Sequence, residues 1–398
     1  MHSPKPLRRL LAINQVVGPL MRELLDDLSD WGVCCQALTG WVDAEADRPP
    51  KFERITACRL IKSPSWRRLS SWICFTVQAV GCMIRRSHTP VLLTTNPPLA
   101  MLAGPWLRRL CGLRYVLLIY DVYPEVLERM GVLRKGGPVA KSWRRLSREA
   151  MVHAAGVVTV GRHMAETLRR HLRPGDDVDI EVIPNWADTD FIRPRPRADN
   201  PFAREHGLVG KFVVMYSGAF GATHDTESIV SAAAILSDLP DVQFVLIGGG
   251  TREAEVRRLV AEKKPENVML LPLQPLSVLP HSLTSADCAI VSLDEGYEGV
   301  SVPSKTYYAL AAGAAVLAVS AENTELTELV AEHGCGLHVP PRDPQALAQA
   351  VRRLHADRKL LDRCRKASRV AAEKAYARRV IVQRYLRHLG KTLWQMDR

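Results

Sequence analysis

The stretch Val302-Pro303-Ser304-Lys305-Thr306-Tyr307-Tyr308-Ala309-Leu310-Ala311-Ala312-Gly313 decides how this chain is read. Pro303 closes a loop, Ser304 is placed to cap a helix, and Lys305 falls in that helix's first turn. A helix start already presents unpaired N–H groups and the positive end of the dipole. A lysine there opposes the dipole, and a phosphate would reconcile the two positive charges. The helix then runs into Ala311, Ala312 and Gly313, small residues that permit close packing before another apolar strand. The pattern is a strand–loop–helix anion site.

Outward from this stretch, short apolar runs alternate with helical patterns, as in parallel α/β sheets. Residues 212–216, 243–247, 268–271 and 288–293 read as strands ahead of it, and 315–319 and 337–339 as strands behind it. The first half repeats the design, with strands at 10–13, 91–95, 115–120, 157–160 and 181–183 and a helix over 20–31 that Gly32 ends. Between Pro184 and Pro201 the composition shifts to Pro, Arg, Asp and Asn, as in an interdomain linker. The expected fold class is therefore α/β, with two doubly wound Rossmann-like domains facing a cleft. The expected bounds are a first domain over 1–183, a linker over 184–200 and a second domain over 201–375. A basic C-terminal helix over 376–398 is expected to pack back toward the first domain. Ligands of such sheets bind at the carboxyl ends of their strands.

At 398 residues the chain is too long for one ordinary core. Its nine cysteines include no Cys-x-x-Cys pair, which leaves neither a disulfide framework nor a zinc site. The N-terminal apolar run stops at Asn14, too short for a signal peptide, so a reduced, cytoplasmic protein is expected. The net charge is +12, and its distribution matters more than its size. From Arg54 to Tyr120 there is no Asp or Glu, while Arg54, Arg59, Lys62, Arg67, Arg68, Arg85, Arg86, Arg108, Arg109 and Arg114 all fall there. Within it, residues 72–84 are nearly all apolar and are bracketed by arginine pairs. The run is shorter than the roughly 20 residues that span a bilayer. It either lies in the membrane interface with its arginines on anionic lipid heads, which is favoured, or packs in a core with its arginines solvated. The stretch carries no nucleic-acid-binding motif, and no nucleic-acid partner is expected.

Other chemistry gathers at predicted strand ends. After 212–216 comes Ser217-Gly218-Ala219-Phe220-Gly221-Ala222-Thr223-His224-Asp225, where Gly218 and Gly221 let backbone approach a ligand and His224 stands at a helix entrance. The spacing fits neither Gly-x-Gly-x-x-Gly nor a P-loop. Gly248, Gly249 and Gly250 repeat the logic after the next strand. Three openings at one sheet edge, at Gly218, Gly248 and Pro303, favour a phosphate-bearing, nucleotide-like ligand over plain glycine turns. In the first half, Asp121 ends a strand ahead of Val122-Tyr123-Pro124-Glu125, and is either a helix cap or a base or sugar-hydroxyl ligand. Asn96-Pro97-Pro98 forms another loop at that edge. The Asp-x-Asp pairs Asp177/Asp179 and Asp188/Asp190 sit in polar turns, so no metal site is expected. There is no nucleophile elbow and no His-Glu-x-x-His motif.

Taken in order, these residues resemble the GT-B-fold, retaining glycosyltransferases of family 4, in particular the bacterial branch that builds surface polysaccharides. The resemblance runs over nearly the whole chain. It rests on Ile13-Asn14-Gln15, Thr94-Thr95-Asn96-Pro97-Pro98, Asp121 to Glu125, residues 157–160 and Val182-Ile183-Pro184-Asn185-Trp186. In the second half it adds the Gly218 loop with His224, the Pro303-Ser304-Lys305 helix and residues 336–344. It implies transfer of a sugar from a UDP- or GDP-linked donor, without metal or cofactor, to a glycan or lipid-linked acceptor held by the first domain. The implied catalytic residues are Lys305, His224 and Asp121, with Lys305 beside the donor phosphates and His224 where many relatives carry lysine. The donor side comprises Gly218, Gly221, His224, Gly248, Gly249, Pro303, Ser304, Lys305 and Tyr308, with Gln274 near the base. Gln15, Asn96, Tyr123 and Glu125 are expected on the acceptor side. Peripheral contact with the inner face of an anionic membrane is expected.

Two departures stand out. Where many relatives carry glutamates eight positions apart, this chain has Val300 and Tyr308, with Glu298 out of register. The glycine-rich loop after the first strand is shortened to Val16-Val17-Gly18-Pro19. Competing expectations are a catalytically inactive GT-B partner subunit and a sugar-nucleotide epimerase.

Overall fold

The run Tyr-Val-Leu-Leu-Ile at residues 115–119 is buried throughout, as parallel strands covered on both faces are. Similar runs recur along the computed structural model, which describes residues 8–42, 49–61, 63, 65–221 and 224–394. Lys62 of the basic stretch, Ala222 and Thr223 of the glycine loop, and residues 395–398 of the expected C-terminal helix lie outside the described residues. The chain forms two compact units. One holds the described residues of 1–184, 299–301 and 382–398, and the other those of 185–298 and 302–381.

The first unit begins with β1 (Arg8–Ile13), β2 (Val16–Val17), α1 (Pro19–Asp30), β3 (Val33–Thr39), β4 (Trp41–Val42) and β5 (Glu53–Thr56). It continues with α2 (Ser65–Arg85), β6 (Val91–Thr94), α3 (Gly104–Cys111), β7 (Tyr115–Ile119) and α4 (Glu125–Arg129). After α5 (Pro138–Val152) come β8 (Gly156–Thr159), α6 (Arg162–Arg169) and β9 (Ile180–Val182). Seven of these strands form a parallel sheet in the order β5-β3-β1-β6-β7-β8-β9, while β2 and β4 pair separately. The order reverses between β1 and β6, where Gln15 donates its backbone N–H to the Asn96 carbonyl at 2.7 Å. Neither β3 nor β5 figured among the expected strands. The Cys, Gln and Glu-Arg content of these two outer strands blurs the apolar run that marks the central ones. The apolar run at 72–84 lies within α2, which begins seven residues earlier, at Ser65. Among the described residues no helix is long and apolar enough to cross a membrane.

The second unit contains α7 (Pro201–Glu205), preceded in the chain by α6, and then β10 (Phe212–Ala219), α8 (Thr226–Ile235), β11 (Val242–Gly249) and α9 (Glu253–Lys263). β12 (Val268–Leu271), α10 (Leu279–Thr284), β13 (Cys288–Ser292), α11 (Lys305–Ala311) and β14 (Ala315–Val319) follow. The last elements are α12 (Glu325–His333), β15 (Gly336–Val339), α13 (Pro344–Ala356), α14 (Arg358–Lys374) and α15 (Arg378–Thr392). Its parallel sheet runs β12-β11-β10-β13-β14-β15, the order of a dinucleotide-type Rossmann sheet with its reversal between β10 and β13. Apolar clusters cover both faces, one built around Val213, Met215 and Tyr307, the other around Val214, Tyr216 and Phe244. The stretch from Asn185 onward, which looked like a linker, packs into this unit. Trp186 is fully buried, and Ala187 exchanges backbone hydrogen bonds with Tyr376 and Arg378. The residues of α15 from Val382 onward belong to the first unit, where His388 Nδ1 lies 2.7 Å from a Glu181 carboxylate oxygen.

Candidate active site

Doubly wound sheets bind ligands at the carboxyl ends of the strands flanking the reversal. In the second unit that place is the end of β10. Gly218 there has φ +134°, which side chains rarely adopt, and a Cβ would lie 3.4 Å from Lys305 Cε and 3.5 Å from Nζ. The parallel register pairs Gly218 with Gly248. A Cβ on Gly248 would come 2.5 Å from the Gly218 carbonyl oxygen and 2.6 Å from Phe220 Cζ, so the two strand ends close only around glycine. Phe220 then donates its N–H to the Gly249 carbonyl at 2.8 Å, and Gly221 accepts from the His224 N–H at 3.2 Å.

Lys305 is the first residue of α11, and its ammonium turns back to the end of β10. Nζ donates to the Tyr216 hydroxyl at 2.7 Å and stands 4.0 Å from the centre of that ring. The same hydroxyl donates to the Ala219 carbonyl at 2.8 Å, which fixes the fully buried tyrosine. Burial lowers the Lys305 pKa to about 7. A neighbouring anion favours the charged form and raises it again.

His224 behaves differently. Burial, and after it the charge on Lys305, lower its pKa to about 4. Its Nδ1 lies 2.8 Å from the Ser292 carbonyl oxygen, which can only accept, so Nδ1 carries the proton and Nε2 presents a lone pair. At neutral pH His224 is an acceptor beside Lys305 rather than a second cation. Arg252, which the sequence reading passed over, holds it from behind, donating Nη1 to the His224 carbonyl at 2.6 Å and gripping Glu255 at 2.7 and 2.6 Å. Asp225 caps α8, its carboxylate accepting the Ser228 N–H at 3.1 Å and the Arg342 N–H at 2.7 Å.

Ser304 does not cap α11 with its side chain. Its own backbone is already helical, with φ −65° and ψ −24°, whereas a capping residue is extended. Thr306 instead donates its hydroxyl to the Pro303 carbonyl at 2.7 Å. Gln274 turns its amide onto the Pro272 carbonyl at 2.8 Å, and Tyr308 packs against the apolar cluster around Tyr307. The structure thus gathers Gly218, Gly221, Gly248, Gly249, His224, Pro303 and Lys305 at one sheet edge of the second unit.

In the first unit, Asp121 follows β7 and bridges to Ser301. Burial raises its carboxyl pKa, and a hydrogen bond with Ser301 opposes the shift. Tyr123 lies between Trp72, edge-on at 6.3 Å, and Trp143, stacked at 6.0 Å. Glu125 is tied down by Arg144 at 2.6 Å and His171 at 2.8 Å. Burial opposes its ionisation, but the hydrogen bonds and charges of His171 and Arg144 outweigh this and hold its carboxyl below the usual range. Gln15 is fully buried, with its amide nitrogen on the Ser71 carbonyl at 3.1 Å and its side-chain oxygen without a hydrogen-bond partner. Glu125 and the Gln15 nitrogen are thus committed to internal contacts. Among the described residues no group of three or more His, Cys, Asp or Glu side chains is placed to hold a metal ion.

Each half of the chain matches a glycosyltransferase family model. Residues 12–186 match the glycosyl transferase 4-like domain, and residues 200–371 match glycosyl transferases group 1. Over both halves the chain is similar to the GT4-like glycosyltransferases, and its fold is that of solved GT-B glycosyltransferases. It is 33% identical over 261 residues to the probable glycosyltransferase WbjE of Pseudomonas aeruginosa, covering 66% of this chain and 64% of that protein. It is 27% identical over 259 residues to the putative colanic acid biosynthesis glycosyl transferase WcaI of Escherichia coli (strain K12), covering 62% and 61%. The chain therefore spans less than two thirds of the length of these curated relatives. The solved structure of Anabaena Alr3699/HepE in complex with UDP and glucose superimposes with a TM-score of 0.74 at 16% identity, covering 96% of this chain and 100% of that one. At that identity the likeness concerns the fold.

Proposed function

We propose that the chain is a retaining, metal-independent glycosyltransferase of cell-surface polysaccharide biosynthesis. It moves a hexosyl or N-acetylhexosaminyl group from a UDP- or GDP-linked donor to a lipid-linked glycan, peripherally at the inner face of the cytoplasmic membrane. The observation that carries this reading is the Lys305 ammonium held against Tyr216 at the mouth of the Gly218 turn. Breaking the bond from the sugar's C1 to the diphosphate places negative charge on the leaving oxygen. A lysine fixed in a partly desolvated site neutralises that charge without having to reorganise. Gly218 and Gly248 leave room for phosphates against the backbone, and His224 accepts a hydrogen bond from a donor sugar hydroxyl. Tyr308 and Gln274 belong to the nucleoside side of the site. On the acceptor side, Asp121, with its pKa raised by burial, suits accepting a proton or holding an acceptor hydroxyl. Asn96 and Tyr123 line the same side, with Gln15 and Glu125 positioning it.

The UDP in the HepE complex and the putative colanic acid biosynthesis named for WcaI support the choice of donor and pathway. The test incubates the purified chain with a panel of UDP-, GDP- and TDP-sugars and a lipid-linked acceptor extract, and reads the product by NMR. A glycosylated product with the donor's anomeric configuration is expected. An epimerised donor without transfer, or no turnover at all, contradicts the reading.

A further inference from the structure

A helix on a folded domain normally turns its apolar stripe toward the core. Helix α2 turns one inward and another outward. Phe75, Ala79, Cys82 and Met83 are buried. Trp66, Leu69, Ile73, Val77 and Ile84 are 67, 49, 51, 67 and 42% exposed. At 3.6 residues per turn these five positions fall within an arc of about 80°. Single exposed apolar side chains are ordinary on a protein surface, but a contiguous stripe is a contact site. Helix α3, which packs against α2, adds Trp106 and Leu110 at 56 and 59% exposed.

The charge carried by α2 and α3 has one sign. Arg67 and Arg85 are exposed and about five helical turns apart, on the same side of α2. Arg67 also lies 5.2 Å from the Trp66 ring. Arg108 and Arg109 sit on α3, and the sequence from Arg54 to Tyr120 supplies no carboxylate to offset them. We infer that the outer face of α2, continued by α3, is a docking surface for an anionic lipid bilayer. Trp66, Ile73 and Val77 enter the acyl boundary, and the arginines meet lipid phosphates. A second copy of the chain is a poorer occupant, since it would set arginines against arginines. The helix lies in the interface, being unable to span it. Trp72 of the same helix meets Tyr123 edge-on at 6.3 Å, so docking couples directly to the loop after β7. The inference names the surface for the membrane contact proposed above and rests on that reading; its test needs no sugar transfer.

The test is co-sedimentation of the full chain with phosphatidylcholine vesicles, with and without phosphatidylglycerol, beside separate UDP-binding titrations. Binding should need phosphatidylglycerol. The combined variant Trp66→Ser/Ile73→Ser/Val77→Ser should lower the partition coefficient at least tenfold, and Arg67→Glu/Arg85→Glu should abolish the preference for anionic vesicles. These side chains are exposed, so the circular dichroism spectrum, Tm and UDP affinity should stay those of the wild type. Equal recovery on both vesicle types, or wild-type binding by the triple variant, overturns the proposal. A dimer in analytical ultracentrifugation that the triple variant disperses assigns the face to a second copy and also overturns it. Vesicle binding without UDP binding leaves this surface standing and refutes the donor site.

Discussion

The Lys305 ammonium lies 2.7 Å from the Tyr216 hydroxyl and 4.0 Å from the centre of the Tyr216 ring, joining residues 89 positions apart. The ring's negative face and the hydroxyl oxygen favour the cation. Burial wins against them, and the lysine is held near its titration point, at about 7. An anion at the Gly218 turn tips this balance toward the charged form.

A pH dependence follows. Diphosphate binding prefers protonated Lys305, and the free residue loses its proton above about pH 7. UDP affinity should therefore fall as pH rises from there, by up to about tenfold per pH unit. Calorimetric titrations across this range should show the fall in wild type and a much flatter profile in Lys305→Arg.

The same lowered pKa costs stability. The charged lysine is less favourable folded than unfolded, so the cost is full below about pH 7 and fades as pH rises toward the ordinary value of 10.5. Lys305→Met removes it. At acidic to neutral pH, Tm should rise by about 2–6 °C, with a gain that shrinks in alkaline buffer, while UDP binding is lost. Thermal scans at several pH values check both parts.

Gly218→Ala places a side chain at φ +134°. The strain should destabilise the second unit by about 1–3 kcal/mol, read as a lower urea midpoint. The displaced strand end should weaken UDP binding as well, although the added Cβ would itself sit at ordinary contact distance from Lys305, 3.4 Å from Cε.

Asp287 anchors the opposite end of that sheet. Its carboxylate takes Arg197 at 2.6 Å, Arg365 at 3.3 Å and the Val213 N–H at 2.8 Å, with the side chain only 6% exposed. Asp287→Asn leaves two guanidiniums facing a neutral amide. It should cost about 3–5 kcal/mol of unfolding free energy in urea titrations.

Local chemistry in the sequence carried much of this. The apolar runs at residues 115–119 and 315–319 are central parallel strands and read as such. Gly218, Gly248 and Lys305 were legible as a candidate anion site because glycine and a first-turn lysine have local physical consequences, and the fold places Gly218 beside Lys305. What the sequence hid were relationships across the sheet. Tyr216 looked like one more strand residue, and only the fold brings Lys305 onto it. Arg252 sits in a loop whose glycines drew the eye, and its grip on His224 depends on β10 and β11 being neighbours. β3 was missed because its Cys and Gln residues dilute the apolar pattern, yet parallel pairing with β1 orders it. Ser304 looked like a cap until its helical backbone passed that position by.

The central claim is that Lys305 stabilises the departing diphosphate. Single-turnover sugar transfer by Lys305→Ala, with donor saturating and folding verified by circular dichroism, tests it most directly. The rate should fall by about 10²–10³ relative to wild type, the loss typical of removing one fixed donor to developing charge. A variant that transfers sugar at close to the wild-type rate would contradict the account.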